Sequence, residues 1–223
     1  MPEKETFNRI EKNSLTQQVE SRLKDALLSG ALKPGRRLIA QEIAEGLGTS
    51  LTPVREALMR LSSYDVVQAS FSRSFIVPEV KLDYLDDLLL MCRDLEAHVI
   101  ASVCMHISNI QIKELNELSE LFSESVKAEN VQNALKTNRL IRFKLYRIAD
   151  KPVVREFLLQ VWLRLGPYYN FIYEGHSGMF TSPSRFHRLL FALEKRDIEA
   201  SQSAIALLLG ESETLLQKQF VHK

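Results

Sequence analysis

Ser50-Leu51-Thr52-Pro53-Val54-Arg55-Glu56-Ala57-Leu58-Met59-Arg60-Leu61 is the stretch on which the fold turns. Thr52 can cap a helix and Pro53 suits its first position, so the sequence predicts a helix over 52–63. Val54, Ala57, Leu58 and Leu61 recur at i, i+3, i+4 and i+7, which gives one face to bury. Thr52, Arg55, Glu56, Met59 and Arg60 fall on the other face. A packed back and a short, polar, partly basic front suit a DNA major groove. The same pattern also describes an ordinary amphipathic surface helix, and only the flanking sequence separates the two.

Residues 1–13 are polar and read as a flexible arm. A helix follows over 14–29, with Leu15, Val19, Leu23, Ala26 and Leu27 as its apolar stripe and Gly30 as its stop. Pro34-Gly35 is a turn, and Arg37-Leu38-Ile39 after it can form a very short strand. A helix over 40–47 turns Ile43, Ala44 and Leu47 inward and ends at Gly48. Two short helices joined by a turn after Gly48 have helix-turn-helix spacing. Then Asp65 to Ala69 and Phe75 to Pro78 are two β-rich runs joined by Ser70-Phe71-Ser72-Arg73-Ser74, a hairpin. Helix, short strand, helix, helix, hairpin is the order of a winged helix-turn-helix over 14–78, with Arg73 on the wing.

Composition agrees. Eight Gly and seven Pro in 223 residues, with long stretches free of both, argue for a mainly α chain. Net charge is +1; residues 1–78 hold 11 Lys/Arg against 9 Asp/Glu, and residues 79–223 hold 18 against 19. Any DNA affinity must therefore come from local placement and not from bulk charge. Cys92 and Cys104, twelve residues apart in one helical stretch, are too distant to bridge, which points to a reducing compartment. The first residues lack the apolar core of a signal peptide and no run of eighteen apolar residues occurs, so the expected location is cytoplasmic, with no membrane partner.

The stretches 28–38, 42–50 (Glu42-Ile43-Ala44-Glu45-Gly46-Leu47-Gly48-Thr49-Ser50) and 52–58 (Thr52-Pro53-Val54-Arg55-Glu56-Ala57-Leu58) resemble the DNA-binding domain of GntR-family bacterial transcription regulators, continuously over about 15–78. The resemblance implies that Gln41, Ser50, Thr52, Pro53, Arg55, Arg60, Phe71 and Arg73 lie at the DNA. It implies a homodimer placing two recognition helices in successive major grooves of an inverted-repeat operator, about 34 Å apart. Arg55 is the expected base contact; Ser50 and Thr52 are expected at phosphate, Gln41 at an adenine or a phosphate. Two departures stand out. Most members have Arg where this chain has Leu51, which implies an operator with one guanine contact fewer, worth roughly 1–3 kcal/mol of discrimination. The wing usually carries Gly where this chain has Ser74.

After the linker 79–82 the chain reads as helices over about 83–107, 109–128, 131–149, 152–165, 182–195 and 198–218, capped by Asp83, Ser108, Asn130 and Asp197. Gly166-Pro167 is expected to bend or end the fourth, with Tyr168 to Tyr173 continuing helically. Gly175 to Gly178 reads as a loop, and Ser182-Pro183 as a helix start. This is an all-α antiparallel bundle of six or seven helices over 83–220. Behind a winged helix it resembles the FadR branch of the family, whose FCD-like bundle dimerises and binds effectors, often beside a metal. That branch's metal ligands are an Asp, a His four residues on, and two more His on the last two helices. Aligned through Tyr146 to Pro152, those positions hold Asn138, Arg142, His187 and Leu208. A guanidinium repels a divalent ion and Leu offers no ligand, so no metal or other cofactor is expected.

An inward Arg142, with Arg93 on the first bundle helix, suits a small organic anion oriented by Asn138 and His187. The alternative is that Arg142 pairs with a carboxylate such as Glu96 inside a filled core. Trp162, Tyr168, Tyr169, Phe171 and Tyr173 read as core, or else as pocket lining. His98, His106 and His176 show no partner pattern, and His222 falls in an expected frayed tail.

The expected function is a DNA-binding transcription regulator, a repressor, and not an enzyme. No nucleophile–base set and no phosphate-binding glycine loop is recognisable. A helical adaptor that no longer binds DNA is the competing reading, opposed by the intact Thr52, Pro53, Arg55 and Glu56. Leu51 together with Ile141-Arg142 resembles the family's regulators of colanic acid and biofilm genes.

Overall fold

The computed structural model describes residues 15–70, 74–173 and 185–221. The arm, Phe71 and Arg73 of the wing, the 175–178 loop with His176, Ser182-Pro183 and His222 lie outside them, as do the side chains of Phe171 and Tyr173.

The N-terminal unit is built from α1 (Leu15–Leu28), β1 (Arg37–Leu38), α2 (Ala40–Leu47), α3 (Leu51–Ser63), β2 (Gln68–Ala69) and β3 (Phe75–Ile76). The strands form an antiparallel sheet ordered β1-β3-β2, with Leu38 and Ala69 both opposite Phe75. Gly48 closes α2 at φ 62°, a conformation glycine adopts without a Cβ clash, and its N–H returns to Glu45 O. The turn into α3 depends on that residue. Val19, Leu23 and Leu27 of α1, Ala44 of α2 and the four spaced residues of α3 form the core.

The structure corrects three local readings. Helix α3 starts one residue earlier than expected, with Ser50 at the N-cap and Leu51 first; Thr52 does not cap it, and Pro53 is buried within the first turn. Leu15 and Leu47 have the right spacing but are half exposed, because each lies at the end of its helix beyond the packed layer.

Among the described residues six helices make the second unit: α4 (Leu82–His106), α5 (Asn109–Lys127), α6 (Val131–Ile148), α7 (Pro152–Tyr173), α8 (His187–Glu194) and α9 (Ile198–Val221). Three caps act as their residue types require. Ser108 and Gln111 form a reciprocal capping box, with Gln111 N–H donating to Ser108 Oγ at 3.2 Å and Ser108 N–H to Gln111 Oε1 at 2.9 Å. Asn130 accepts from Asn133 N–H at 3.1 Å and Asp197 from Ala200 N–H at 2.9 Å. Asp83 does not cap α4; Lys81 is its N-cap, without a side-chain bond, and Asp83 sits in the first turn. The chain does not break at Gly166-Pro167: α7 runs on to Tyr173. Pro167 removes only one backbone donor, which the flanking packing tolerates. Helix α8 starts at His187, after a turn at 185–186, and α9 extends to Val221.

Helix α4 lies along α9, α5 along α6, and α8 against α5 and α9. Helix α7 serves both units. Its Leu158, Val161, Trp162 and Leu165 belong to the bundle core, whereas Leu163 belongs to the N-terminal core and Leu159 packs against it. At Gly166 the backbones of α7 and α1 approach closely: a Cβ there would lie 2.5 Å from Leu27 O. Tyr168 holds the linker, accepting from Val80 N–H at 2.7 Å and donating to Pro78 O at 3.0 Å. Arg164 of α7 donates to Tyr64 O at the end of α3.

Candidate nucleic-acid interface and bundle interior

On α3, Val54, Ala57, Leu58 and Leu61 have no exposed surface, while Thr52, Arg55, Glu56, Met59 and Arg60 are exposed. The outward residues are not equivalent. Glu56 accepts a hydrogen bond from Thr16 Oγ1 at 2.7 Å, and Arg60 lies 3.6 Å from Glu20, so both reach back to α1. Arg55 makes no hydrogen bond or ion pair among the described residues. Its guanidinium is exposed and, among those residues, uncommitted.

Ser50 is exposed, and its side chain makes no capping bond. The first-turn amides of α3 therefore lack both an intrahelical acceptor and a side-chain cap, which suits an anion at this end. Thr52 stands beside them. Pro53 is turned inward, so it shapes the helix start and does not line the outer face. Gln41 is exposed on α2, its amide donating to Glu45 at 2.9 Å one turn along the same helix.

The two departures from the family pattern have structural roles. Leu51 is half-buried and packs against the N-terminal core. Ser74 is buried; its Oγ accepts from Arg37 Nε at 3.0 Å and its carbonyl from Ser70 N–H at 2.8 Å. A residue without a side chain could not tie the base of the wing to β1 in this way.

In the bundle, Glu96 of α4 is completely buried. Arg142 of α6 donates to its Oε2 and Tyr146 to its Oε1, Cys92 Sγ approaches Oε1 at 3.5 Å, and Trp162 Nε1 of α7 donates to Tyr146 OH at 2.9 Å. Three helices thus share one polar network in an apolar core. Burial pushes the Tyr146 phenol and the Cys92 thiol well above their ordinary values, and the Glu96 charge adds to this. Burial, the largest single influence, opposes the charge on Arg142, but Glu96, Tyr146, Cys92 and Tyr169 together raise the guanidinium above its ordinary value. One turn before Arg142, Asn138 is buried, and neither its Oδ1 nor Arg142 Nε has a hydrogen-bond partner among the described residues.

The four residues considered for an anion are not gathered in one place. Asn138 and Arg142 are neighbours on α6. Arg93 is partly exposed at the α4–α9 seam, 3.4 Å from Glu213. His187 is exposed and lines a groove of about 390 Å³ with Arg185, Arg188 and Leu208. His98 and His106 are on the surface, and Trp162, Tyr168 and Tyr169 are core. The residue set does not fit the metal implied by the branch. At the aligned positions stand a neutral amide, a buried guanidinium, an outward imidazole and a buried Leu, and the one interior carboxylate among the described residues is held by Arg142.

Sequence periodicity missed Gly166, Arg164 and Tyr168 as contacts between the units. A glycine carries no apolar signal, and a carbonyl partner leaves no residue pattern.

Comparison with known proteins gives the family. Residues 15–77 match the model described as bacterial regulatory proteins, gntR family, and residues 87–211 match the FCD domain. The HTH-type transcriptional regulator McbR of Escherichia coli (strain K12) is 34% identical over 209 residues, covering 93% of this chain and 95% of that protein. The solved structure of E. coli McbR/YncC has a TM-score of 0.90 and covers 94% of this chain and 100% of its own. A GntR transcriptional regulator from Rhodococcus sp. RHA1, 20% identical, shares the fold at a TM-score of 0.75, covering 92% and 98%. A winged helix-turn-helix with an outward-facing recognition helix, joined to an FCD bundle, places this chain in the GntR family of bacterial transcription regulators, in its FadR-type branch.

Proposed function

We propose that this regulator represses its target genes by binding an inverted-repeat operator as a homodimer, with Arg55 as the principal base-reading side chain. The carrying observation is that Arg55 is exposed on the outer face of α3 and uncommitted among the described residues, while its neighbours Glu56 and Arg60 engage α1. A free guanidinium matches the paired acceptors of guanine in the major groove. Ser50, Thr52 and the open amides of α3 take phosphate, Gln41 takes an adenine or a second phosphate, and Phe71 and Arg73 extend the contact from the wing. Leu51, packed on the core, leaves this reader one base contact short of the family pattern. Arg55→Ala is expected to lose sequence-specific binding with its fold intact, and wild-type operator affinity in a gel-shift titration at fixed salt would refute the assignment.

For the bundle, the buried Arg142–Glu96 pair favours a closed interior over an anion bound by Arg93, Asn138, Arg142 and His187. Calorimetric titration with small organic acids separates the two. Binding to the wild type that is lost in Arg142→Ala would restore the anion site.

A further inference from the structure

We infer that Arg142 is the resident cation of this bundle: held by Glu96, its guanidinium supplies from the chain itself the positive charge that a metal supplies where the ligand set is complete. The inference rests on the residues of the interior and not on the DNA-binding reading. Arg142 and Glu96 are 2% and 0% exposed, and they come from α6 and α4. An isolated charge of either sign could not be kept there, because desolvation is several times larger than any single hydrogen bond. The two therefore require each other. Glu96 is also the acceptor for Tyr146, and Tyr146 for Trp162, so one carboxylate joins α4, α6 and α7. A carboxylate that gathers donors around a fixed cation is a coordination centre in all but the ion.

The rest of the site is consistent with a charge already balanced. Asn138 is neutral and Leu208 is apolar and 4% exposed. His187 faces a groove beside two arginines instead of the interior. Among the described residues, no three His, Cys, Asp or Glu side chains cluster closely enough to hold a metal.

Two measurements on the full chain test this. In the first, protein stripped with EDTA is titrated with Zn²⁺, Mn²⁺ or Ni²⁺ and followed by thermal unfolding. No saturable change in Tm is expected. A metal bound in the interior at a hundredfold above its Kd would raise Tm by roughly 5–10 °C, and that result overturns the inference.

The second uses Glu96→Ala, which removes the carboxylate and leaves room beside the guanidinium. Tm is expected to fall, and sodium formate to restore it saturably where sodium chloride at equal ionic strength does not. The double variant Glu96→Ala/Arg142→Ala is expected not to respond to formate. A folded Glu96→Ala that ignores formate refutes the pairing. Should Glu96→Ala not fold, Glu96→Gln is compared with Glu96→Gln/Arg142→Met. The single variant is expected to lose roughly 10 °C and the double to regain part of it. A single variant as stable as wild type overturns the inference.

Discussion

Replacing Gly166 by Ala tests the join between the DNA-binding unit and the bundle where the backbones of α1 and α7 approach closely. The new Cβ would lie 2.5 Å from Leu27 O, 2.9 Å from Leu28 Cα and 3.0 Å from Leu27 C. Ordinary contact begins at 3.4 Å, so α1 and α7 must separate by roughly 0.9 Å. The obstructing atoms are backbone in the last turn of α1 and cannot rotate away. Leu27 O is also engaged, accepting from Gly30 N–H at 3.0 Å. Overpacking of this kind costs about 2 kcal/mol. Ala in place of Gly inside α7 returns about 1 kcal/mol of helix propensity. The net loss of about 1 kcal/mol falls on the α1–α7 contact and leaves the bundle core untouched. Val at the same position returns less propensity and adds two methyl groups, so its net loss is about 3 kcal/mol. Hydrogen exchange reads this directly: amides in the last turn of α1 should exchange about fivefold faster in Gly166→Ala and more than a hundredfold faster in Gly166→Val. Amides of α4, α6 and α9 should keep their protection. Unchanged α1 exchange in Gly166→Val would show that the helices do not approach as described.

Further outcomes follow from groups already placed. Burial raises the Tyr146, Tyr168 and Tyr169 phenols, so the fold favours their protonated forms. The unfolded chain releases those protons near pH 10, so their contribution to stability is complete below that value and is lost as pH rises from there through the raised folded values. Urea midpoints should be flat from pH 7 to 9 and fall above 10, with these tyrosinates appearing at 295 nm only as the protein unfolds. Cys92 and Cys104 are both buried and free, and the Cys92 thiol is pushed up by burial. Iodoacetamide at pH 8 should label neither until denaturant is added, as read by intact mass. Ser108→Ala removes the capping box of α5 and should destabilise the protein by about 1 kcal/mol in chemical unfolding, with operator binding unchanged.

Much of the fold was legible because its signals are local. Gly48 marks a left-handed stop, the α3 residues repeat at helical spacing, and Ser108, Asn130 and Asp197 each cap a helix with their own side chain. Where a local rule and the global packing disagree, packing decides. Gly166-Pro167 reads as a bend or an end, and the helix is carried through to Tyr173 because both faces of α7 are held. Leu15 and Leu47 match the stripe, yet at the helix ends they stay half exposed. The interior of the bundle was half legible. Arg142 aligns with a ligand position and Glu96 is a partner its chemistry allows, but spacing alone does not show that α4 and α6 bring the two together. The outward or inward direction of Arg93 and His187 was not readable, because it depends on which neighbouring helix lies beside each.

Helix α7 also bears on how such regulators are recombined. Recognition units and sensor bundles are often treated as exchangeable modules joined at a linker, and here residues 79–81 offer an obvious crossover point. A crossover there would divide a hydrophobic core in two, since Leu163 and Leu159 pack among side chains encoded before the linker. The inherited segment and the packed body have different borders. A functional hybrid should therefore carry the α1-facing side of α7 along with its DNA-reading half, although more than eighty residues separate them in the chain.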